Sequence, residues 1–307
     1  MADRKIIVIA GPTACGKTEY AIRVAEETGG EIVSCDSMQI YKYMSIGSAK
    51  PTPEEQKRAK HWLVDEIDPR EEFSVKEYRD LAKKYINDIL ERGKLPIICG
   101  GTGLYLNSLL YDMDFSDADK DEEFRQTLMD EAEVFGPEYV HKKLEAADPV
   151  KASKIHPNNV KKVIRALEGV SFGSGIGDFS SLHKKTKDYD VILIGITRDR
   201  EELYDRINRR VDIMVEEGLF GEVEDLLEIG LREEDISMKG IGYKEVIAFF
   251  DGIYTEEEAI DKIKQNTRHL AKRQLTWFRR YKDMHWFNIS ELGEEKTLEE
   301  ILCLIRK

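Results

Sequence analysis

Near the start of the chain, Gly11-Pro12-Thr13-Ala14-Cys15-Gly16-Lys17-Thr18 follows the spacing G-x-x-x-x-G-K-[ST]. Glycines at these positions let the backbone turn tightly, so that several N–H groups face one anion. A helix starting at the end of the loop adds its partial positive charge. Lys17 supplies a full charge for a terminal phosphate, and the Thr18 hydroxyl is a ligand for Mg²⁺. The chemistry is phosphate binding. The loop does not say which phosphate compound is bound.

Two further segments carry reactive groups at the ends of apolar runs. Ile32-Val33-Ser34-Cys35 runs into Asp36-Ser37-Met38-Gln39, and Leu95-Pro96-Ile97-Ile98-Cys99 runs into Gly100-Gly101-Thr102-Gly103. Ligands of open α/β sheets bind beyond the carboxyl ends of strands, so Asp36 and Thr102 are expected beside the phosphate loop. Asp36 reads as a carboxylate of the crevice, as a turn or N-cap residue, or as a Mg²⁺-linked carboxylate. The Gly100–Gly103 turn reads as part of the crevice or as a plain connection between strand and helix.

A third group lies near the C-terminus. Thr255-Glu256-Glu257-Glu258 is a capping-box pattern, from which a long helix starts. Its wheel places Ile260, Ile263, Thr267, Leu270, Ala271, Gln274, Phe278 and Tyr281 on one face. Arg268, Lys272 and Arg279 lie on one flank, Arg273 and Arg280 on the other, and Trp277 at the edge. A buried, unpaired amide costs about 1–3 kcal/mol, so Gln274 needs a partner, either at the crevice or on a core carbonyl. Basic side chains beside an indole suit RNA, although charged helix faces are commonly only solvated.

The elements that must position these groups are legible as short apolar runs. Lys5–Ala10, Glu31–Cys35, Leu95–Cys99 and Val191–Ile196 read as buried parallel strands with helical patterns between them. The fold class is α/β, a P-loop NTPase-like parallel sheet with helices on both faces and an inserted helical subdomain. The core is expected over 1–114 and 190–307, and the insertion over 115–189. Within the insertion, Asp112–Glu123 reads as a linker and Phe124–Leu167 as helical. Gly169–Lys187 reads as a mobile connection rich in Gly, Ser and Lys. After Val191–Ile196 the chain reads as mostly helical.

Composition bounds the reading. The chain has 307 residues, 41% hydrophobic, and no run approaches the ~18 apolar residues of a membrane span. Cys15, Cys35, Cys99 and Cys303 form no C-x-x-C pair. His156, His183 and His269 have no metal-ligand spacing. A reducing cytoplasm is therefore the expected setting. The net charge of −13 weighs against nucleic acid binding, but RNA responds to the field of a local patch.

Taken together, the motifs resemble the bacterial-type tRNA dimethylallyltransferases. The resemblance rests on G-P-T-A-x-G-K-T, Asp36-Ser37-x-Gln39-x-Tyr41, Ile46-Gly47-x-Ala49-Lys50-Pro51, and His61-Trp62-Leu63-Val64-Asp65 with Asp68-Pro69. It continues through G-G-T-x-L-Y at 100–105, Ile155-His156-Pro157-Asn158, and Arg165-Ala166-Leu167-Glu168. It ends with Gly240-Ile241-Gly242-Tyr243 and Lys272-Arg273-Gln274-Leu275-Thr276-Trp277-Phe278-Arg279. The chain departs from the pattern at Asn159, where Asp is usual, at Lys162, where Arg is usual, and from Gly169 through Phe172–Phe179.

The resemblance implies transfer of a dimethylallyl group from dimethylallyl diphosphate to N6 of the adenosine next to the anticodon (position 37) of tRNA. It implies Asp36 as general base, with Thr102 and Lys17 at the reacting centre. The diphosphate falls to Gly11–Thr18, with Mg²⁺ on Thr18. Contacts to the tRNA anticodon stem-loop are implied at Asp36, Ser37, Met38, Gln39, Thr102, Arg125, Lys161, Lys162 and Arg165. Further contacts are implied at Gly240, Gly242, Tyr243, Lys272, Arg273, Gln274, Trp277 and Arg279. Arg206 and Arg210 read as solvated helix residues, with a reach to the pyrophosphate as the alternative. The enzyme is expected to be a monomer. The competing readings are a P-loop nucleotide or small-molecule kinase, an isopentenyltransferase acting on free AMP, and an RNA-binding NTPase.

Overall fold

In the computed structural model, residues 4–113, 122–171 and 184–306 are described. They form two compact units. The first comprises residues 1–109 and 186–307, the second 110–185. The division at Leu110 and Thr186 lies a few residues from the expected 114 and 190. Residues 114–121 of the expected linker and 172–183 of the expected connection, His183 and Phe172–Phe179 among them, lie outside the described residues.

In the first unit, β1 (Lys5–Ala10), α1 (Lys17–Thr28), β2 (Glu31–Ser34), α2 (Pro53–Arg58) and β3 (His61–Trp62) come first. They are followed by α3 (Val75–Glu91), β4 (Pro96–Gly100) and α4 (Gly103–Leu110). The second unit holds α5 (Glu122–Phe135), α6 (Pro137–Ala147), α7 (Pro149–Ala152) and α8 (Val160–Ser171). The chain returns through β5 (Asp190–Thr197), α9 (Arg200–Glu216), α10 (Leu219–Glu228) and α11 (Tyr243–Phe250). It closes with α12 (Glu256–Phe278), β6 (His285–Asn288), α13 (Ile289–Leu292) and α14 (Glu294–Ile305).

The six strands are ordered β3-β2-β4-β1-β5-β6, and every pairing is parallel. Strands of such a sheet are covered on both faces, which is why they read as unbroken apolar runs. On one face Ile7, Ile9, Ile32, Ile97, Ile194 and Ile196 pack with α1, α9 and α14. On the other, Tyr78, Ala82, Ile86 and Ile89 of α3 are buried. The order β2-β4-β1 sets three strand exits side by side, and these carry Asp36, Gly100–Gly103 and the phosphate loop.

Two strands escaped the sequence reading. β3 has two residues, and β6, His285-Trp286-Phe287-Asn288, lies in a stretch read as helical. Neither has the apolar run or alternation that marks a strand. Gly169 is also corrected. It is buried inside α8, which continues to Ser171, and it does not open a connection.

The second unit has its own small core, in which Leu128, Val140, Leu144, Val163, Ile164 and Leu167 are buried.

Candidate active site

The phosphate loop is built at the exit of β1. Gly16 precedes α1 at φ 101°, a left-handed conformation open to glycine at little steric cost. Ala14 shares the left-handed region at φ 62°. Among the described residues, no protein group accepts from the N–H groups of Ala14, Gly16, Lys17 or Thr18. These donors cluster at the N-terminus of α1 and form an anion cradle. Lys17 folds over the loop, its Nζ 3.4 Å from the Pro12 carbonyl.

Beside the cradle lies a cleft of about 370 Å³ lined by Gly16, Lys17, Thr18, Glu55, Arg206, Arg210 and Ile213. The expectation that Arg206 and Arg210 are merely solvated is therefore corrected. Arg206 Nε donates to the Ala14 carbonyl at 3.0 Å, and both guanidiniums are half-buried. Burial, and for Arg206 the nearby Arg198, lowers their affinity for a proton. Cations held together in this way favour an anion between them.

Arg198 was missed altogether. It follows β5 directly and is buried. Its Nε donates to the Cys15 carbonyl at 3.1 Å, and it pairs with Glu202 and Glu294. Its position at a strand exit next to β1 is the only sequence signal it carries.

The β2 and β4 exits are tied together. The Thr102 N–H donates to the Cys35 carbonyl, and Thr102 Oγ1 accepts from the Ser37 N–H, each at 3.1 Å. Asp36 Oδ1 accepts from the Met38 N–H at 2.9 Å, an Asx-turn contact. The turn reading of Asp36 therefore holds for one oxygen, while the carboxylate also lines a recess with Lys17, Thr18 and His61. Tyr78 donates to the Ser34 carbonyl at 3.1 Å and stacks on Tyr105 at 3.9 Å, fixing β2 against α4. Burial pushes the Cys35 and Cys99 thiols up to about 12, so neither is a nucleophile near neutrality.

Gln274 finds its partners at the crevice. Its Oε1 accepts from the Thr13 N–H at 2.8 Å, and its Nε2 donates to the Gly101 carbonyl at 3.0 Å. One amide thus braces the phosphate loop and the glycine turn together. One turn further along α12, Trp277 lies so close to Gly103 that a methyl group there would fall 2.3 Å from the indole. The turn between β4 and α4 is glycine-rich because α12 presses on it.

The other expected RNA contacts divide into two sets. Lys272 and Arg273 are exposed on α12, Arg279 is exposed at its C-cap, and Arg280 lies 4.9 Å over the Trp277 ring. Lys161, Lys162 and Arg165 are exposed on α8 of the second unit. The rest are committed internally. Arg125 is paired at 2.6 Å with the buried carboxylate of Glu168, so its charge is already neutralised within the second unit. Tyr243 is fully buried and donates to Glu222 at 2.9 Å. Gly242 is buried and its N–H donates to Glu245. Tyr243 and Gly242 are corrected from contacts to supports. Glu222 accepts from the N–H groups of Ser45, Ile46 and Gly47, so Tyr243 holds that loop at one remove. The Gln39 amide donates to the Ala49 carbonyl at 2.9 Å, and Gly240 packs on Met38.

The family model described as IPP transferase matches residues 39–281. The chain belongs to the IPP transferase family. The tRNA dimethylallyltransferase of Alkaliphilus oremlandii is 52% identical over 304 residues, 99% of this chain and 96% of the relative. That of Clostridioides difficile is 50% identical, over 98% and 97%. The family segment begins after the phosphate loop, but these full-length matches include it. Among solved structures, the tRNA isopentenylpyrophosphate transferase of Bacillus halodurans is similar at TM-score 0.75 and 44% identity, covering 99% of this chain and 96% of its own. A eukaryotic dimethylallyltransferase acting on tRNA reaches TM-score 0.81 at 27% identity, covering 99% and 79%.

Proposed function

We propose that this protein transfers a dimethylallyl group from dimethylallyl diphosphate to N6 of the adenosine at position 37 of tRNA, releasing pyrophosphate. One observation carries the reading. In a chain of this family, an anion cradle, a crevice carboxylate and a hydroxyl stand at three adjacent strand exits.

N6 attacks the allylic carbon, a C–N bond forms, and the C–O bond to the diphosphate breaks. Charge developing on the leaving pyrophosphate is met by the loop N–H groups, Lys17, Arg206 and Arg210. The N6 proton passes to Asp36, whose second oxygen is left open by the turn. Thr102, fixed on Ser37, borders the acceptor side.

The donor chemistry of the crevice suits Mg²⁺. Among the described residues, no three His, Cys, Asp or Glu side chains form a cage. A Thr18 hydroxyl beside a phosphate site, with Asp36 on the same recess, matches an ion that takes most of its ligands from phosphate and water. When bound, Mg²⁺ neutralises charge on the diphosphate.

The exposed Lys272, Arg273 and Arg279 beside the half-buried Trp277 suit the backbone and bases of an anticodon loop, and Lys161, Lys162 and Arg165 offer further positive charge. The target base must leave its stack to reach Asp36. A monomer working in the cytoplasm belongs to the same reading. Among the described residues, no helix is long and apolar enough to cross a membrane.

The test is stoichiometric release of pyrophosphate from dimethylallyl diphosphate that requires unmodified tRNA. Release with AMP alone, or phosphate transfer from ATP, would move the reading to another acceptor.

A further inference from the structure

His61 stands on β3, paired beside Ile32 of β2. Adjacent strand residues point to opposite faces. Trp62 turns towards α3, its ring 4.4 Å from Tyr85 of that helix, and its Nε1 donates to Glu31 of β2 at 2.9 Å. His61 turns the other way, into the recess bordered by Thr18, Ala21, Ser34 and Asp36.

The tautomer of this ring follows from its neighbours. Nδ1 lies 2.8 Å from the Ala59 carbonyl, which can only accept. Nδ1 therefore carries the hydrogen, and in the neutral ring Nε2 is a bare acceptor. Burial lowers the proton affinity of the imidazole, which keeps it neutral at pH 7. Among the described residues, Nε2 is the one buried side-chain polar atom that meets no hydrogen-bond partner in the protein. Leaving such an acceptor unmet costs about 1–3 kcal/mol. The recess in front of it measures about 20 Å³. A water needs roughly 10–15 Å³ by the same measure, and two or more polar partners.

We infer that one water is bound in this recess, donating one O–H to His61 Nε2 and the other to the Asp36 carboxylate, and that His61 thereby positions Asp36. Both partners are acceptors, and water brings two donors. The hydroxyls of Ser34 and Thr18 border the same space. His61 is a positioning residue, acting through the water on the carboxylate, which Met38 N–H holds from the other side. The role assigned to Asp36 rests on the proposed transfer reaction.

The test has two arms. In a high-resolution crystal structure of the full chain, a water should lie within about 3.2 Å of Nε2. In steady-state transfer assays, His61→Phe, which fills the recess, should lower kcat by about ten- to a hundredfold while KM for both substrates stays within about twofold. His61→Gln returns an acceptor near the position of Nε2 and should recover most of the rate. Thermal melting of each variant confirms folding. If His61→Phe does not fold, the water and the Gln variant still decide the matter. An Nε2 with no water, a His61→Phe enzyme of normal kcat, or equal losses in Phe and Gln would overturn the inference. A folded natural protein that transfers nothing to tRNA would instead overturn the reaction, and the crystallographic arm would stand apart from it.

Discussion

Asp36 divides its work between two oxygens. Oδ1 accepts from Met38 N–H at 2.9 Å and shapes the turn. In the proposed transfer the other oxygen takes the N6 proton. Asp36→Asn keeps an oxygen for the turn and removes the base. We expect transfer to fall by at least ~10²-fold with tRNA affinity unchanged, measured by single-turnover labelling and filter binding. Near-normal turnover would remove Asp36 from the chemistry. The sequence left Asp36 open between turn and crevice because both follow from a strand exit, and the structure realises both.

Gln274 is the other residue whose role depends on distant partners. Its place on an apolar helix face marked it as odd, and an unpaired amide there is costly. Which atoms satisfy it was not legible, because Thr13 is 261 positions away. Gln274→Ala should free the Thr13 N–H and loosen the glycine turn at once. We expect about a tenfold loss of kcat/KM for the diphosphate, with the helix intact by circular dichroism. A loss confined to tRNA affinity would show that the amide serves RNA and not the loop.

At the scale of elements, the strands that were legible are the central ones, whose both faces are buried. The edge strands β3 and β6 were not, because their positions follow from partners already in the sheet. The same logic hid Arg206 and Arg210. On α9 they sit among acidic residues and look solvated, and only the packing of α9 on the phosphate loop turns them inward.

Glu31 opens β2 as a buried carboxylate. Arg92 meets it at 2.6 Å, Lys94 at 2.8 Å and the Trp62 indole at 2.9 Å. Arg92 is the main cause that holds its pKa well below the usual carboxylate range. A depressed folded pKa stabilises the protein fully above the unfolded value of about 4.3, and that stability is lost as pH falls below it. Urea titrations should therefore show a loss between pH 5 and pH 3 that is smaller in Glu31→Gln. At pH 7 the variant should be less stable by about 1–3 kcal/mol. Equal acid sensitivity in both proteins would place the titrating group elsewhere.

For the whole molecule, net charge is a poor guide to partners. The chain carries −13. Two groups of its exposed basic side chains nevertheless lie close together, Lys272, Arg273 and Arg279 around Trp277 at the end of α12, and Lys161, Lys162 and Arg165 on one face of α8. RNA responds to such local fields once counterions are released. Replacing Arg273 and Arg279 with Ala should weaken tRNA binding and reduce the slope of log affinity against log salt by roughly 1.4. An unchanged slope would mean that these two charges meet no phosphate. The family was legible from motifs spread across the chain. Which of these residues contact a substrate and which support one that does was not, because burial separates Tyr243 from Arg273, the ion pair with Glu168 separates Arg125 from it, and only the folded chain sets either.

The central claim is the identity of donor and acceptor. The most direct test is transfer of label from dimethylallyl diphosphate to unmodified tRNA, to the same tRNA with adenosine 37 replaced, and to free AMP. The account predicts label on the first alone, dependent on Mg²⁺. Label on AMP, or on the tRNA that lacks the adenosine, would contradict it.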